Sequence, residues 1–238
     1  MKPEEQPPPF PASGIELQPA FSPGDIEVRS FAIIDAEVPE PRSFTSVAWP
    51  VARRIIHAAG DISLASVLHI PEPAVLAGLA ALRSGAAIFT DTAMARAGIP
   101  MRRLEPLGCS VQCVLDLPLV EEEARRHGTT RVHAGFALLG ERLGGSIAVV
   151  GNAPTGVLAI LEYLDAGGPP PALVIGMPVG FVNAAESKEL LLERPDVHSF
   201  VLRGRRGGSP LASAAVNALA VLLADEDGRR DPMRWAGK

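Results

Sequence analysis

Only two cysteines occur in 238 residues, too few for a fold stapled by disulfides. Lysine is scarce as well. Lys2, Lys188 and Lys238 are the only lysines among 22 basic residues, and the rest are arginine. Arginine suits bidentate contacts with carboxylates, although a GC-rich genome biases composition the same way. Positive charge is not in excess: the formal net charge of -5 argues against a nucleic-acid partner. No apolar run approaches the roughly 18 residues that span a bilayer, so no membrane partner is expected. The opening MKPEEQPPPF is acidic and proline-rich and lacks the apolar stretch of a secretory signal. Missing too are the phosphate loop of P-loop NTPases and the nucleophile elbow of serine hydrolases. No histidine pair has zinc-binding spacing, so no metal is expected.

Hydrophobic residues make up 47% of the chain and charged residues 21%, enough for a sizeable core and unlike a disordered chain. At roughly 150 residues per domain the length fits one large domain, expected in a reducing, cytoplasmic setting. Residues 1–23 hold seven prolines and read as a mobile arm with polyproline character. Order is expected from Ser22-Pro23-Gly24-Asp25, where a serine cap precedes a proline at a helix start. A helix over 26–38 follows, ended by Pro39 and Pro41. Five short apolar runs then read as strands: 86–91, 109–116, 146–152, 172–178 and 198–204. Helical patterns fill 46–58, 73–84, 118–127, 131–142, 154–166, 184–193 and 209–224. Near-continuous apolar runs suit a parallel sheet covered on both faces. Their alternation with helices predicts an α/β domain over 24–224 with a mainly parallel five-stranded sheet, then a charged tail over 225–238.

In such a sheet ligands sit beyond the carboxyl ends of the strands. The loops there carry the candidate chemistry. Asn152 and Pro154 in GNAPT mark a strand-to-helix turn whose N–H groups either hold an anion or form an ordinary capped turn. Arg203, Arg205 and Arg206 in RGRRGGS read as a carboxylate or phosphate clamp, or as a solvated patch. His57 ends a helical stretch before Gly60. It is either a helix-end histidine favoured by the dipole or a general acid titrating near neutrality. Asp91 at a strand end and Arg131 after GTT are candidate ligand contacts, against the plainer readings of an N-cap and a surface ion pair. Cys109 and Cys113 lie about 13 Å apart by strand rise and read as inert buried thiols.

These blocks, taken in order, resemble the precorrin-8X methylmutase family. They are RSFAII from Arg29, RRIIHAAGD from Arg53, ALRSGAAIFTD from Ala81, GTTR from Gly128, GNAPTG from Gly151, IGMPVGFVNAAESKE from Ile175 and RGRRGGS from Arg203. The resemblance implies a flavodoxin-like α/β/α domain. It implies an isomerase of cobalamin biosynthesis that moves a methyl group from C-11 to C-12 of an anionic tetrapyrrole, giving hydrogenobyrinate without an organic cofactor. The substrate expected from the same resemblance is precorrin-8X or its cobalt form. By the same resemblance His57 is the general acid and Ser30 and Arg131 contact substrate. Asp91, Asn152, Arg203 and Arg205 are further substrate-contact candidates, and the family works as a homodimer with the site near the interface.

Three positions depart from the family pattern, the first being Glu27, where some members have Tyr. His133 stands where small residues are usual, and Gly156 where alanine is usual. They motivate an alternative, a non-catalytic binding protein for an anionic corrinoid. A flavodoxin-like binder of another anion, such as a nucleotide, is a third reading, weakened by the missing phosphate-binding motifs.

Overall fold

The structure is a computed structural model, and it describes residues 23–226. The proline-rich arm and the charged tail lie outside the described residues, apart from Pro23 and the end of the last helix. The Ser22 cap lies outside them too. In chain order the elements are α1 (Pro23–Glu37), α2 (Trp49–Ala59), β1 (Leu68–His69), α3 (Glu72–Arg83), β2 (Ala87–Thr90), α4 (Ala93–Gly98), α5 (Met101–Leu104) and β3 (Ser110–Cys113). There follow α6 (Val120–His127), α7 (Arg131–Leu139), β4 (Ile147–Val150), α8 (Pro154–Asp165), β5 (Leu173–Gly176), α9 (Ala184–Leu192), β6 (Ser199–Leu202) and α10 (Ser209–Glu226).

The sheet runs β1-β6-β5-β4-β2-β3, parallel throughout except where β1 pairs antiparallel with β6. The five parallel strands have the flavodoxin-like winding, with chain order reversing between β2 and β4. Alternate residues feed opposite faces, as the pleat requires. Ile147, Val149, Ile175 and Phe200 pack into one cluster with residues of α2, α3 and α10. Ala148, Val150, Val174 and Val201 pack into the other with residues of α7 and α8. Both faces being covered, the central strands have no polar side, which explains their continuous apolar runs.

Two expectations need correction. The sheet has six strands, not five: β1 spans two residues and is created by pairing with Leu202 and Val201, so no apolar run announces it. The stretch 93–104, to which the sequence assigns no element, folds into α4 and α5. Several elements are shorter than expected. The strand over 109–116 ends at Cys113 and continues as a 3-10 turn, and α7 stops at Leu139 because Gly140 takes φ +51°.

Candidate active site

α2 carries His57, and its sequence explains where the histidine lands. Pro50 sits in the first turn, and Val51, Ala52, Ile55 and Ile56 form the buried face. Gly60 adopts φ 62°, so its N–H returns to the carbonyls of Ile56 and His57 and ends the helix. His57 therefore lies in the last turn, half-buried. Its ring meets Phe31 edge-on at 5.4 Å between centroids. Neither ring nitrogen has a hydrogen-bond partner within the chain among the described residues. Around it is an open pocket of 370 Å³ lined by Ser30, Ile33, Ile34 and Glu37 of α1, by Ile56 and His57, and by Gly60, Asp61 and Ile62. Ser30 Oγ donates to the Ile26 carbonyl at 2.7 Å and keeps its lone pairs for an incoming group.

Asp61 closes one side of this pocket. Its Oδ1 accepts from the Ser63 hydroxyl at 2.6 Å and the Ser63 N–H at 2.9 Å, and its Oδ2 accepts from Arg206 Nη1 at 2.6 Å. Arg206 also donates to Ser63 Oγ at 2.8 Å. The Ser63 hydrogen bonds, with the Arg206 guanidinium adding to them, hold the Asp61 carboxyl below its ordinary value. Arg206 is thus the arginine of RGRRGGS that reaches the His57 pocket. Arg205 instead lies over Phe181, 5.3 Å from the ring centroid, and Arg203 makes a loose 3.6 Å pair with Glu189.

The RGRRGGS loop is fastened to the MPVG turn. Gly180 N–H donates to the Arg205 carbonyl at 3.1 Å, and Gly208 N–H to the Met177 carbonyl at 2.9 Å. At Gly207 a Cβ would come within 2.1 Å of the Met177 carbonyl oxygen, so only glycine allows this approach.

At the reversal point between β2 and β4, Asp91 is fully buried. Its Oδ2 accepts from the N–H groups of Asn152 at 2.6 Å and Ala153 at 2.9 Å, while Oδ1 is buried without a partner. Burial raises the Asp91 pKa, opposed by the backbone N–H groups of Ala153, Asn152 and Gly151. Of the two readings of GNAPT, this contact favours the ordinary turn over the anion cradle. Two of its N–H donors are already taken by a carboxylate of the chain itself. Asp91 consequently shapes the GNAPT turn from below and presents no face to a ligand, while the side chain of Asn152 is exposed.

Arg131 begins α7 on the opposite layer and pairs with Glu121 at 3.4 Å, both exposed. Thr130 Oγ1 and Thr155 Oγ1, 2.7 Å apart, tie its segment to GNAPT. Arg131 borders a separate pocket with Glu121, Ala124 and Arg125. Within one chain, then, His57 and Ser30 come together, Asp91 meets the Asn152 backbone, and Arg131, Arg203 and Arg205 stay apart. His133 turns toward α8, where Nε2 lies 2.8 Å from Glu162 Oε2. Cys109 and Cys113 are buried free thiols, their pKa values raised by burial.

Sequence reasoning missed Asp61 and Lys188, and it included Arg206 without separating it from its neighbours. The Asp-x-Ser following Gly60 is a capping signature that marks Asp61. Lys188 carried one signal, its rarity. Its side chain is fully buried and Nζ donates to the Arg206 carbonyl at 2.8 Å. Among the described residues no helix is long and apolar enough to cross a membrane.

The family model for precorrin-8X methylmutase matches residues 25–222. A precorrin-8X methylmutase of Pseudomonas aeruginosa is 45% identical over 193 residues, covering 81% of this chain and 92% of that protein. A cobalt-precorrin-8 methylmutase of Leptospira interrogans is 41% identical over 217 residues, covering 87% and 96%. The crystal structure of precorrin-8X methylmutase from Thermus thermophilus superposes with a TM-score of 0.77 at 42% identity, covering 84% of this chain and 98% of that one. The chain therefore belongs to the precorrin-8X methylmutase family and is an isomerase of cobalamin biosynthesis.

Proposed function

We propose that this enzyme moves the methyl group of precorrin-8X from C-11 to C-12, giving hydrogenobyrinate, with His57 as the general acid and residues 24–224 as the catalytic domain. The observation that carries this reading is the His57 ring, with no hydrogen-bond partner on either nitrogen among the described residues, in an open pocket with Ser30. A methyl shift within one bound molecule needs no nucleophile. It is helped by a proton or strong hydrogen bond where the macrocycle gains electron density in the transition state. An imidazole with a nitrogen free to meet substrate supplies that group.

The substrate is a flat apolar ring edged with carboxylates. An acidic protein must meet it with local donors, and Arg131, Arg203, Arg205 and Asn152 are the proposed contacts. Asp91 is retained as the residue that fixes the turn presenting Asn152. A homodimer in the cytoplasm is the proposed working form. Ile26, Val28 and Ile33 of α1 are exposed apolar residues beside the pocket, and a second copy would cover them and bring its own arginines near. Light scattering of the purified protein should give twice the chain mass.

The deciding experiment mixes protein with precorrin-8X, or its cobalt form, anaerobically and follows the visible spectrum. The shift alters conjugation, so a spectrum moving to that of hydrogenobyrinate at a rate following enzyme concentration supports the isomerase. His57→Ala should fold and bind product while losing turnover by about 100-fold or more; wild-type turnover in that variant overturns the role of His57. Binding without spectral change with both substrates would favour the corrinoid-binding alternative.

A further inference from the structure

Arginine fills 19 of the 22 basic positions of this chain, and Lys188 is the only lysine in the described span 23–226. Among the described residues it is also the one basic side chain that is buried. Asp91 and Lys188 are the only ionisable residues among the buried polar ones, within the described residues. Lys188 points inward from the face of α9 formed by Ala184, Ser187 and Leu191. There it meets the carbonyl of Arg206, whose side chain runs the other way to Asp61 and Ser63 at the His57 pocket.

We propose that Lys188 is a positioning residue of this site: by holding the Arg206 carbonyl it sets the loop so that the Arg206 guanidinium reaches Asp61 beside His57. This rests on the reading of the His57 pocket given above. Each link is a direct hydrogen bond, Lys188 Nζ to Arg206 O at 2.8 Å and Arg206 Nη1 to Asp61 Oδ2 at 2.6 Å. The loop's two backbone bonds to the MPVG turn hold the carbonyl of Arg205 and the N–H of Gly208, and Lys188 holds the carbonyl between them.

The residue type fits the task. An ammonium is a compact donor that can meet a single carbonyl, whereas a guanidinium brings a rigid fork of five donors that a buried slot cannot satisfy. Burial pulls the Lys188 pKa down to about 8, with Glu189 pulling it up. A side chain needed only to fill space would be less costly as methionine or leucine.

The test compares wild type, Lys188→Met, Lys188→Arg, Arg206→Ala and the double variant Lys188→Met with Arg206→Ala. Trypsin reads the loop directly, because Arg205 and Arg206 are its cleavage sites and cutting tracks local opening. In Lys188→Met, cleavage there should rise about tenfold while the melting temperature stays within a few degrees. The kinetic reading uses conversion of precorrin-8X. Lys188→Met and Arg206→Ala should each lower kcat/KM about tenfold, mainly through KM, Lys188→Arg should not restore it, and the double variant should be no worse than the poorer single.

Unchanged cleavage in a folded Lys188→Met overturns the proposal. So does wild-type kcat/KM in Lys188→Met or in Arg206→Ala, or additive losses in the double variant. Should Lys188→Met fail to fold, Arg206→Ala decides: wild-type kinetics there remove the route through its guanidinium. A wild type that leaves the substrate unchanged overturns the functional reading instead, and the proteolysis arm still decides the loop contact.

Discussion

Two loops at the carboxyl end of the sheet are each held from below by a buried ionisable side chain, one acidic and one basic. Under the GNAPT turn Asp91 gathers two N–H groups. Under the RGRRGGS loop Lys188 takes a carbonyl. The difference follows from what each backbone has left over. A helix start has unpaired donors, so a carboxylate suits the beginning of α8. The loop before α10 turns a carbonyl inward, so it needs a donor. Neither group is there for stability alone, because burying a charge is unfavourable unless its partners compensate.

The largest effect should come from the packing that both clamps assume. Gly207→Ala drives a methyl into the Met177 carbonyl, 2.1 Å away before relaxation. Thermal melts should show a loss of about 5–10 °C. Activity should fall with it, because Arg206 is displaced. A variant melting like wild type would mean that this loop is loosely seated and that the comparison fails at its second member.

Next comes Asp91→Ala, which leaves two N–H groups without their acceptor and should cost about 2 kcal/mol at neutral pH. Its pH dependence is the sharper test. Burial raises the folded-state pKa of Asp91 above the ordinary 3.8. Its contribution is then fully present below that ordinary value and is lost as pH rises through the raised one. Denaturant melts should therefore show wild type and Asp91→Ala furthest apart in acid, the gap narrowing toward neutrality.

Lys188→Met should run the other way, with a smaller effect. The Lys188 pKa is depressed from 10.5 to about 8. Its contribution is present above the unfolded value and is lost as pH falls through about 8. Wild type should gain on Lys188→Met as pH rises through that interval, and little difference is expected at neutral pH. Parallel curves for both variants would show that the buried groups do not titrate as opposites. The smallest effect belongs to Arg203→Ala. It breaks a half-exposed pair with Glu189 and should change stability by less than about 0.5 kcal/mol, with or without salt.

Much of this fold was readable because strands buried on both faces cannot alternate with polar residues. Ile147–Val150 and Leu173–Gly176 announce themselves as apolar runs. β1 was not readable, since two residues become a strand only through the partner they meet. For the site, His57 and Ser30 were marked by the blocks that carry them, and the structure puts both on one pocket. Asp91 was singled out, but its role depends on a contact spanning 61 residues that no local pattern records. Adjacent arginines are equivalent in sequence. Which of Arg205 and Arg206 turns toward the pocket is decided by how the loop backbone is pinned.

The short strand β1 has a mechanical consequence. The segment between α2 and β1 is stapled to the β6–α10 loop at two heights, by Arg206 on Asp61 and Ser63 and by Arg203 N–H on the Val67 carbonyl at 2.9 Å. A carboxylate that drew the guanidinium away from Asp61 would release the upper staple alone. The lower one is backbone to backbone and stays. The 62–66 turn also stays anchored by Leu64 in the core, so only Asp61 and Ser63 at the rim beside His57 would be left to meet a guest, and the sheet would not be disturbed.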